Sequence, residues 1–365
     1  MGVESDWNNL GKRLLSCYAK CVLEDAEKLD GKRPIRLRDR RDAQLANTIT
    51  SLVHSMDRYR DEGSTEKALD AVDLGKIFER LEQREKSQKD EIWGYEDLLV
   101  QETLAFFKND FFKWVNKPQC PQCGKDGDNI ESTGMAGPPA INPDEIGHIE
   151  KYHCNVCNID VDFPRINNPV KLLETRRGRC GEWVNCFLLV LQAVLGPDAQ
   201  LRYIWNMEDH VWCEYYSQKQ QRWVHLDPCE NVFDEPSLYC NNWGKQMSYV
   251  IGIGNHYIVD LSNKYVVNEE KRIPKSSVVS SEETISKYIK YLNARLMLIF
   301  WHNNIEPNHE DDKYDKLYED LILIHNRELL TLQKTDQRHT DKTSTPQGRQ
   351  TGSAEWTKAR GEDGA

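Results

Sequence analysis

At 365 residues and a formal net charge of −11, the chain is long enough for two packed regions and is poorly suited to nucleic acid as a main partner. No run approaches the roughly 18 consecutive apolar residues of a membrane span. Met1-Gly2-Val3-Glu4-Ser5-Asp6 lacks the apolar core of a signal peptide, and Asp6 stands where a myristoylation signal wants Ser or Thr. Eleven cysteines without a secretory signal point to free thiols, metal ligation or catalysis before disulfides, and to the cytosol, with the nucleus as a second compartment.

Trp7, Leu10, Leu14, Tyr18 and Val22 recur at helical spacing and end before Gly31-Lys32-Arg33-Pro34. Residues 1–33 are therefore expected to form an amphipathic helix and linker, docked on the protein's own core or presented to a partner. Helices are expected over Leu45–Met56 and Ala68–Leu81, parted by the polar turn Asp61-Glu62-Gly63-Ser64. Trp93 to Leu99, Ala105-Phe106-Phe107 and Phe111 to Asn116 carry the aromatic density of a core, so 34–117 reads as a helical region. Trp114, just before Lys117-Pro118, belongs either to that core or to the mouth of a cleft.

Cys120-Pro121-Gln122-Cys123 and Cys154-Asn155-Val156-Cys157 are paired CxxC knuckles, with Gly124 and Asn158 following where tight turns often need them. Four thiolates close a tetrahedral shell, which implies one structural Zn2+ ion in a subdomain over 118–170, His153 being the rival ligand. Gly134 to Ile146, with three prolines, is expected to be a surface loop.

Arg176-Arg177-Gly178-Arg179-Cys180-Gly181-Glu182-Trp183 places a cysteine after a basic turn. Val184, Phe187, Leu188, Leu191 and Val194 follow as an apolar helical stripe. A thiol at a helix N-terminus is favoured as thiolate by the macrodipole, and Arg177 and Arg179 add charge nearby; alternatively Cys180 is a small buried apolar residue. Leu201, Tyr203 and Trp205 then alternate, and His210–Tyr215 and Arg222–Asp227 read as a hairpin closed by Ser217-Gln218-Lys219-Gln220. That turn pairs Tyr216 with Gln221 and Tyr215 with Arg222, and the same register sets His210 directly opposite Asp227, within about 5 Å at Cβ. Trp212 and Glu214 share their face, opposite His225 and Trp223. Arg202 and Glu214 are expected to form a structural ion pair.

Beyond the hairpin, Trp243 is expected in a turn, strands broken at Gly252 and Gly254 lie within Ser248–Val259, and helices cover Ile285–Leu298 and Lys316–Leu332. The core over 171–275 is followed by C-terminal helices over 276–334. The nearly apolar-free stretch 335–365 is expected to be disordered.

Cys180, His210 and Asp227 in this order supply a nucleophile, a general acid/base and an orienter for acyl transfer, with helix-head N–H groups as oxyanion donors. Hydrolysis, transglutamination and proteolysis remain open on these residues alone. The runs Gly178–Phe187, Asp209–Trp212, Trp223–Glu230, Trp93–Leu99 and Phe111–Asn116, with both knuckles, resemble the cytoplasmic peptide:N-glycanases of the transglutaminase-like superfamily in their compact fungal form. The resemblance implies an α+β, transglutaminase-like (papain-like) cysteine hydrolase core with a zinc subdomain and flanking helices. It implies amidohydrolysis at a glycosylated asparagine of misfolded N-glycoproteins and glycopeptides, within endoplasmic-reticulum-associated degradation. Cys180, His210 and Asp227 match the family triad, the four knuckle cysteines its zinc ligands, and Glu230 its glycan contact, with Trp212, Trp223, Trp243 and Trp114 as aromatic company. It also implies a ubiquitin-receptor shuttle protein of the proteasome as partner of the terminal helices. A transglutaminase, a cysteine protease or a non-catalytic scaffold is the competing expectation.

Overall fold

The computed structural model describes residues 2–31, 35–87, 92–305, 312–333 and 347–364. Trp7's side chain, Lys32-Arg33-Pro34 of the expected linker and 335–346 of the tail lie outside the described residues.

Five helices come first: α1 (Gly2–Asp30), α2 (Arg40–Ser55), α3 (Glu62–Ala71), α4 (Leu74–Ser87) and α5 (Tyr95–Phe106). The expected polar turn at Asp61-Glu62-Gly63-Ser64 is instead the first turn of α3, because the Asp61 carboxylate accepts the Ser64 N–H at 2.9 Å and caps the helix. Asp73 does the same for Lys76 at 3.0 Å, so the helix expected over Ala68–Leu81 is two helices. Short strand β1 (Lys113–Trp114) precedes an antiparallel sheet of β2 (Ile130–Ala136), β3 (Ile146–Cys154) and β4 (Ile159–Ile166), so the expected surface loop contracts to 137–145. Helix α6 (Pro169–Thr175) leads to β5 (Arg177–Gly178), which pairs in parallel with β1, and then to α7 (Cys180–Leu195).

A six-stranded antiparallel sheet follows, made of β6 (Leu201–Asn206), β7 (His210–Ser217), β8 (Arg222–Asp227), β9 (Val232–Phe233), β10 (Val250–Gly254) and β11 (Ile258–Asp260). Its order is β11-β10-β6-β7-β8-β9. Strand β10 runs unbroken through Gly252, where a Cβ would come within 2.7 Å of Leu261. The chain continues through α8 (Ser262–Tyr265), α9 (Lys275–Val278), α10 (Glu282–Phe300), α11 (Asp312–Gln333) and α12 (Ala354–Ala359).

Helix α7 is buried on every side from Trp183 to Gln192, as expected of a core helix and not of a stripe-bearing surface helix. It lies against Val211, Cys213, Tyr215, Val224 and Leu226 of β7 and β8, while the alternate residues Trp212, Tyr216 and Trp223 enter a second cluster with Tyr239, Trp243 and Tyr265. Period-two alternation thus gives each strand two buried faces. Helix α1 docks through Ala19, Val22, Leu23 and Ala26 on the C-terminal helices, and leaves Leu10, Leu14 and Tyr18 exposed.

The second face holds a buried ion network. Glu214 accepts from Arg202 Nε at 2.5 Å and Lys264 Nζ at 2.6 Å, and Arg202 also binds Glu328 of α11 at 2.9 Å. Burial alone would raise the Glu214 carboxyl, but Arg202 and Lys264 outweigh it and hold it at about 2, against the ordinary 4.5. The folded-state value lies below the unfolded one, so this group's stabilisation is present above 4.5 and is lost as pH falls from there towards 2. Glu214→Gln should cost about 3–5 kcal/mol in urea unfolding at neutral pH, since it strands buried cations. The same variant should flatten the acid dependence of stability below about pH 5, a slope unchanged from wild type counting against the assignment.

Candidate active site and metal centre

Parallel pairing of Trp114 with Gly178 brings the β1 segment against the turn that precedes Cys180. Gly178 is obligatory there because a Cβ would stand 2.3 Å from Glu182 Cβ. Glu182, buried in the first turn of α7, accepts the Arg179 N–H at 3.1 Å and Arg165 Nε and Nη2 at 2.7 and 2.9 Å. The guanidinium of Arg179 turns away to Glu150 of β3, at 3.0 and 2.7 Å, so the helix head is bolted to the knuckle-bearing sheet.

The cations expected beside Cys180 therefore need correcting: Arg179 is paired elsewhere, Arg177 is exposed, and Arg349 and Arg165 are the cations that pull the thiol down. The expected low thiol pKa is also corrected. Burial dominates and raises Cys180 above its ordinary 9.0, against the opposing pull of those two arginines.

The hairpin register differs from expectation by one residue on each strand. Ser217 pairs with Arg222, Glu214 with His225 and Cys213 with Leu226, because the turn is 218–221. A shift shared by both strands preserves the faces, so His210 and Asp227 become diagonal neighbours on one face instead of direct opposites. They still bond, His210 Nε2 to Asp227 Oδ2 at 3.0 Å, both fully buried.

Asp227 accepts three further donors: Tyr239 OH at 3.0 Å on Oδ2, and the backbone N–H groups of Cys229 at 2.9 Å and Glu230 at 3.3 Å on Oδ1. Tyr239 in turn meets His225 Nε2 at 2.7 Å, and the Glu235 N–H donates to His225 Nδ1 at 3.2 Å. That last bond puts the His225 proton on Nε2, so the hydroxyl of Tyr239 accepts from His225 and donates to Asp227. His225, expected only as the residue opposite Trp212, is the outer end of this relay; burial lowers its pKa to about 4 and keeps it neutral. Burial, reinforced by Arg349, likewise pushes His210 well below 6.5. With its Nε2 proton committed to Asp227, His210 offers Nδ1 as a base, and that buried atom has no hydrogen-bond partner. Tyr239 sits in an irregular π-helical turn, Leu238–Asn242, and no periodicity in the sequence pointed to it.

The other expected contacts are dispersed. Trp212 is fully buried between Tyr239 and Tyr265, at 4.2 and 4.7 Å between centroids. Trp223 is packed under Arg202 and hydrogen-bonds Tyr257. Both are packing residues in the structure, because their strand positions point into the second cluster. Trp243 lies 5.0 Å from the His210 ring, and Trp114 5.8 Å from Trp356. Glu230 accepts the backbone N–H groups of Gln350 and Thr351, at 2.9 and 3.1 Å. Those partners overturn disorder as the expectation for 347–364: the segment is held at the site, with Thr357 and Glu362 buried.

Cys120, Cys123, Cys154 and Cys157 bring their sulfurs within 4.8 Å of one another, and Cys123 and Cys154 are 3.8 Å apart. A tetrahedral site with bonds of about 2.3 Å has edges of about 3.8 Å, so the donor set fits a thiolate-bound metal ion. Gly124 and Asn158 both adopt positive φ, 67° and 54°, and donate back to Cys120 and Cys154, so the two knuckles share one turn geometry. His153 is engaged by Asp160 and Asn158 and is not a donor to the cluster.

A cysteine-headed core helix on an antiparallel sheet that carries a buried His–Asp pair defines a transglutaminase-like cysteine hydrolase. The transglutaminase-like superfamily model matches residues 131–228, and the Rad4 transglutaminase-like domain model matches 206–317. The chain is 46% identical to the peptide-N(4)-(N-acetyl-beta-glucosaminyl)asparagine amidase of Debaryomyces hansenii, over 100% of this chain and 98% of the relative. It is 46% identical to that of Candida albicans over 98% and 96%, and 36% identical to that of Saccharomyces cerevisiae over 98% and 97%. The chain belongs to the peptide-N(4)-(N-acetyl-beta-glucosaminyl)asparagine amidase family.

Tyr239→Phe should lower kcat about 10-fold with KM little changed, the effect of one lost bond to a charged carboxylate expressed on turnover. Steady-state kinetics on the variant check this, and an unchanged kcat would remove Tyr239 from the relay.

Proposed function

We propose that the chain hydrolyses the amide bond between an N-glycan and an asparagine side chain, releasing the glycan as glycosylamine and leaving aspartate in the peptide. The observation that carries the reading is the His210–Asp227 bond, which leaves the buried Nδ1 unpartnered, in a chain that also carries a helix-head thiol and is matched end to end by named amidases. Cys180 Sγ passes its proton to His210 Nδ1 and attacks the amide carbonyl carbon. The oxygen's negative charge falls to helix-head N–H groups, including that of Cys180. His210 returns the proton to the departing nitrogen, a thioester remains, and water deprotonated by His210 cleaves it. Asp227 holds the tautomer and stabilises the imidazolium formed in each half-reaction.

The substrates are misfolded N-glycoproteins and glycopeptides bound for degradation, met in the cytosol. Uncovered Leu10, Leu14 and Tyr18 on α1, beside the C-terminal helices, support a proteasomal ubiquitin-receptor shuttle as the docking partner. Zn2+ is the metal the four thiolates would hold; it would supply structure and no chemistry, since the shell is closed.

A denatured glycopeptide should yield free glycan and a peptide whose asparagine has become aspartate by mass; no such conversion would sink the proposal. Cys180→Ala should reduce turnover by roughly 10³-fold or more with the fold intact, as judged by circular dichroism. Metal chelation should lower the melting temperature and slow turnover together, whereas a metal-free protein of undiminished stability would exclude a structural ion.

A further inference from the structure

The C-terminal segment hangs from the turn that carries Asp227. Thr351 N–H, Thr351 Oγ1 and Gln350 N–H all donate to the Glu230 carboxylate, and the Glu230 backbone N–H is itself bonded to Asp227. This anchoring carries Arg349 into the site with its side chain fully buried. The guanidinium carbon lies 5.2, 4.9 and 4.7 Å from the ring centroids of Trp114, Trp243 and Trp356. Trp243 is the same indole that packs on His210, so cation and base share one aromatic wall.

Arg349 Nη1 donates to Glu362 at 2.8 Å and Nε to Thr351 Oγ1 at 3.2 Å, while Nη2 is buried without a hydrogen-bond partner. An unsatisfied buried donor is costly, more so when charged, and calls for a reason. His210 Nδ1 and Trp212 Nε1 are likewise buried without a hydrogen-bond partner. Among the charges bearing on Cys180, which include Asp209, Arg165 and Glu182, Arg349 is the strongest, and Cys180 is the strongest acting on Arg349.

We infer that residues 347–364 are a permanent wall of the active site and that Arg349, through its open Nη2, stabilises the negative charge formed on the Cys180 sulfur and on the amide oxygen under attack. The inference rests on the Cys180–His210–Asp227 reading given above.

The alternative use of such a segment is as a removable plug, and the anchoring argues against it. Lys245 of the core, Glu362 and Arg349 form a buried chain of ion pairs, Lys245 Nζ to Glu362 at 2.7 Å. Withdrawing the segment would take from Lys245 the carboxylate that neutralises it. At the rim Arg360 adds a further pair to Asp209. The chemistry also needs a fixed cation: proton transfer from a half-buried thiol creates a thiolate beside a low-dielectric wall, where a preorganised charge acts most strongly. Glu362 faces the same cluster and offsets the repulsion that Arg349, Lys245 and Arg360 exert on a protonated His210.

The test compares full-length wild type, Arg349→Met and Arg349→Lys, with a chain ending at Pro346, by glycopeptide kinetics and by alkylation of Cys180 across about pH 5 to 9. Protection of Lys358 and Arg360 from trypsin reports whether the segment stays docked. Arg349→Met should lower kcat about 10²-fold with KM within a few-fold, and move the acid limb of both profiles to higher pH. Arg349→Lys, docked, should recover at least about tenfold of that loss. The shortened chain should be no more active than Arg349→Met. Wild-type kcat and pH profile in Arg349→Met, no recovery in a docked Arg349→Lys, or a shortened chain faster than wild type would each overturn the inference. Turnover retained by Cys180→Ala would instead overturn the triad beneath it.

Discussion

Four donors converge on one buried carboxylate, Asp227, and the site is arranged around satisfying it. One donor is the imidazole of His210, one the hydroxyl of Tyr239, and two are backbone N–H groups of its own turn. A buried anion is tolerable only when its lone pairs are filled, so each donor's position is constrained by the others. The turn at Cys229 and Glu230 is fixed by the bonds it gives to Asp227, and Glu230, so fixed, becomes the peg for the C-terminal segment. Tyr239 is held from behind by His225, whose tautomer is set by the Glu235 N–H. The His210 imidazole is thereby oriented by a chain of hydrogen bonds that runs through Asp227, Tyr239 and His225 to the Glu235 backbone.

The same burial that surrounds Asp227 works against charge on Cys180, the proposed nucleophile. Cys180 and His210 are each driven towards their neutral forms, the thiol upward and the imidazole downward. Helix-head geometry alone does not offset that, and the arginines nearest in sequence are spent elsewhere, Arg179 on Glu150. Charge compensation comes from Arg165 and from Arg349, which is 169 positions downstream of Cys180.

What was legible in the sequence was what local periodicity encodes. The apolar spacing after Cys180 gave α7, alternation gave β7 and β8, and CxxC spacing gave a sulfur cluster of the right dimensions. The observed hairpin register lies one residue per strand from the one that the turn residues imply, yet a shift shared by both strands cannot change which face a side chain is on. His210 and Asp227 therefore met anyway. Tyr239 and Arg349 were illegible for a common reason. Each sits in irregular backbone, and its meaning comes wholly from long-range partners. A polar stretch with a single tryptophan, Trp356, reads as disorder because its ordering is supplied by Trp114, Trp243 and buried ion pairs that no local window contains.

The pairing of β1 with β5 has a topological consequence. The chain from Val115 to Arg176, with the sheet that bears the four cysteines, runs between two strands hydrogen-bonded to each other, and packs back on the core through Ile166, Leu172 and Leu173. The excursion is closed at its base, so its closure entropy is settled by the core fold, and lengthening it would add only on the order of 0.6 kcal/mol per doubling. An appendage mounted this way can be enlarged, shortened or exchanged in evolution without re-threading the sheet. A replacement would have to present a carboxylate where Glu150 meets Arg179 and a guanidinium where Arg165 meets Glu182.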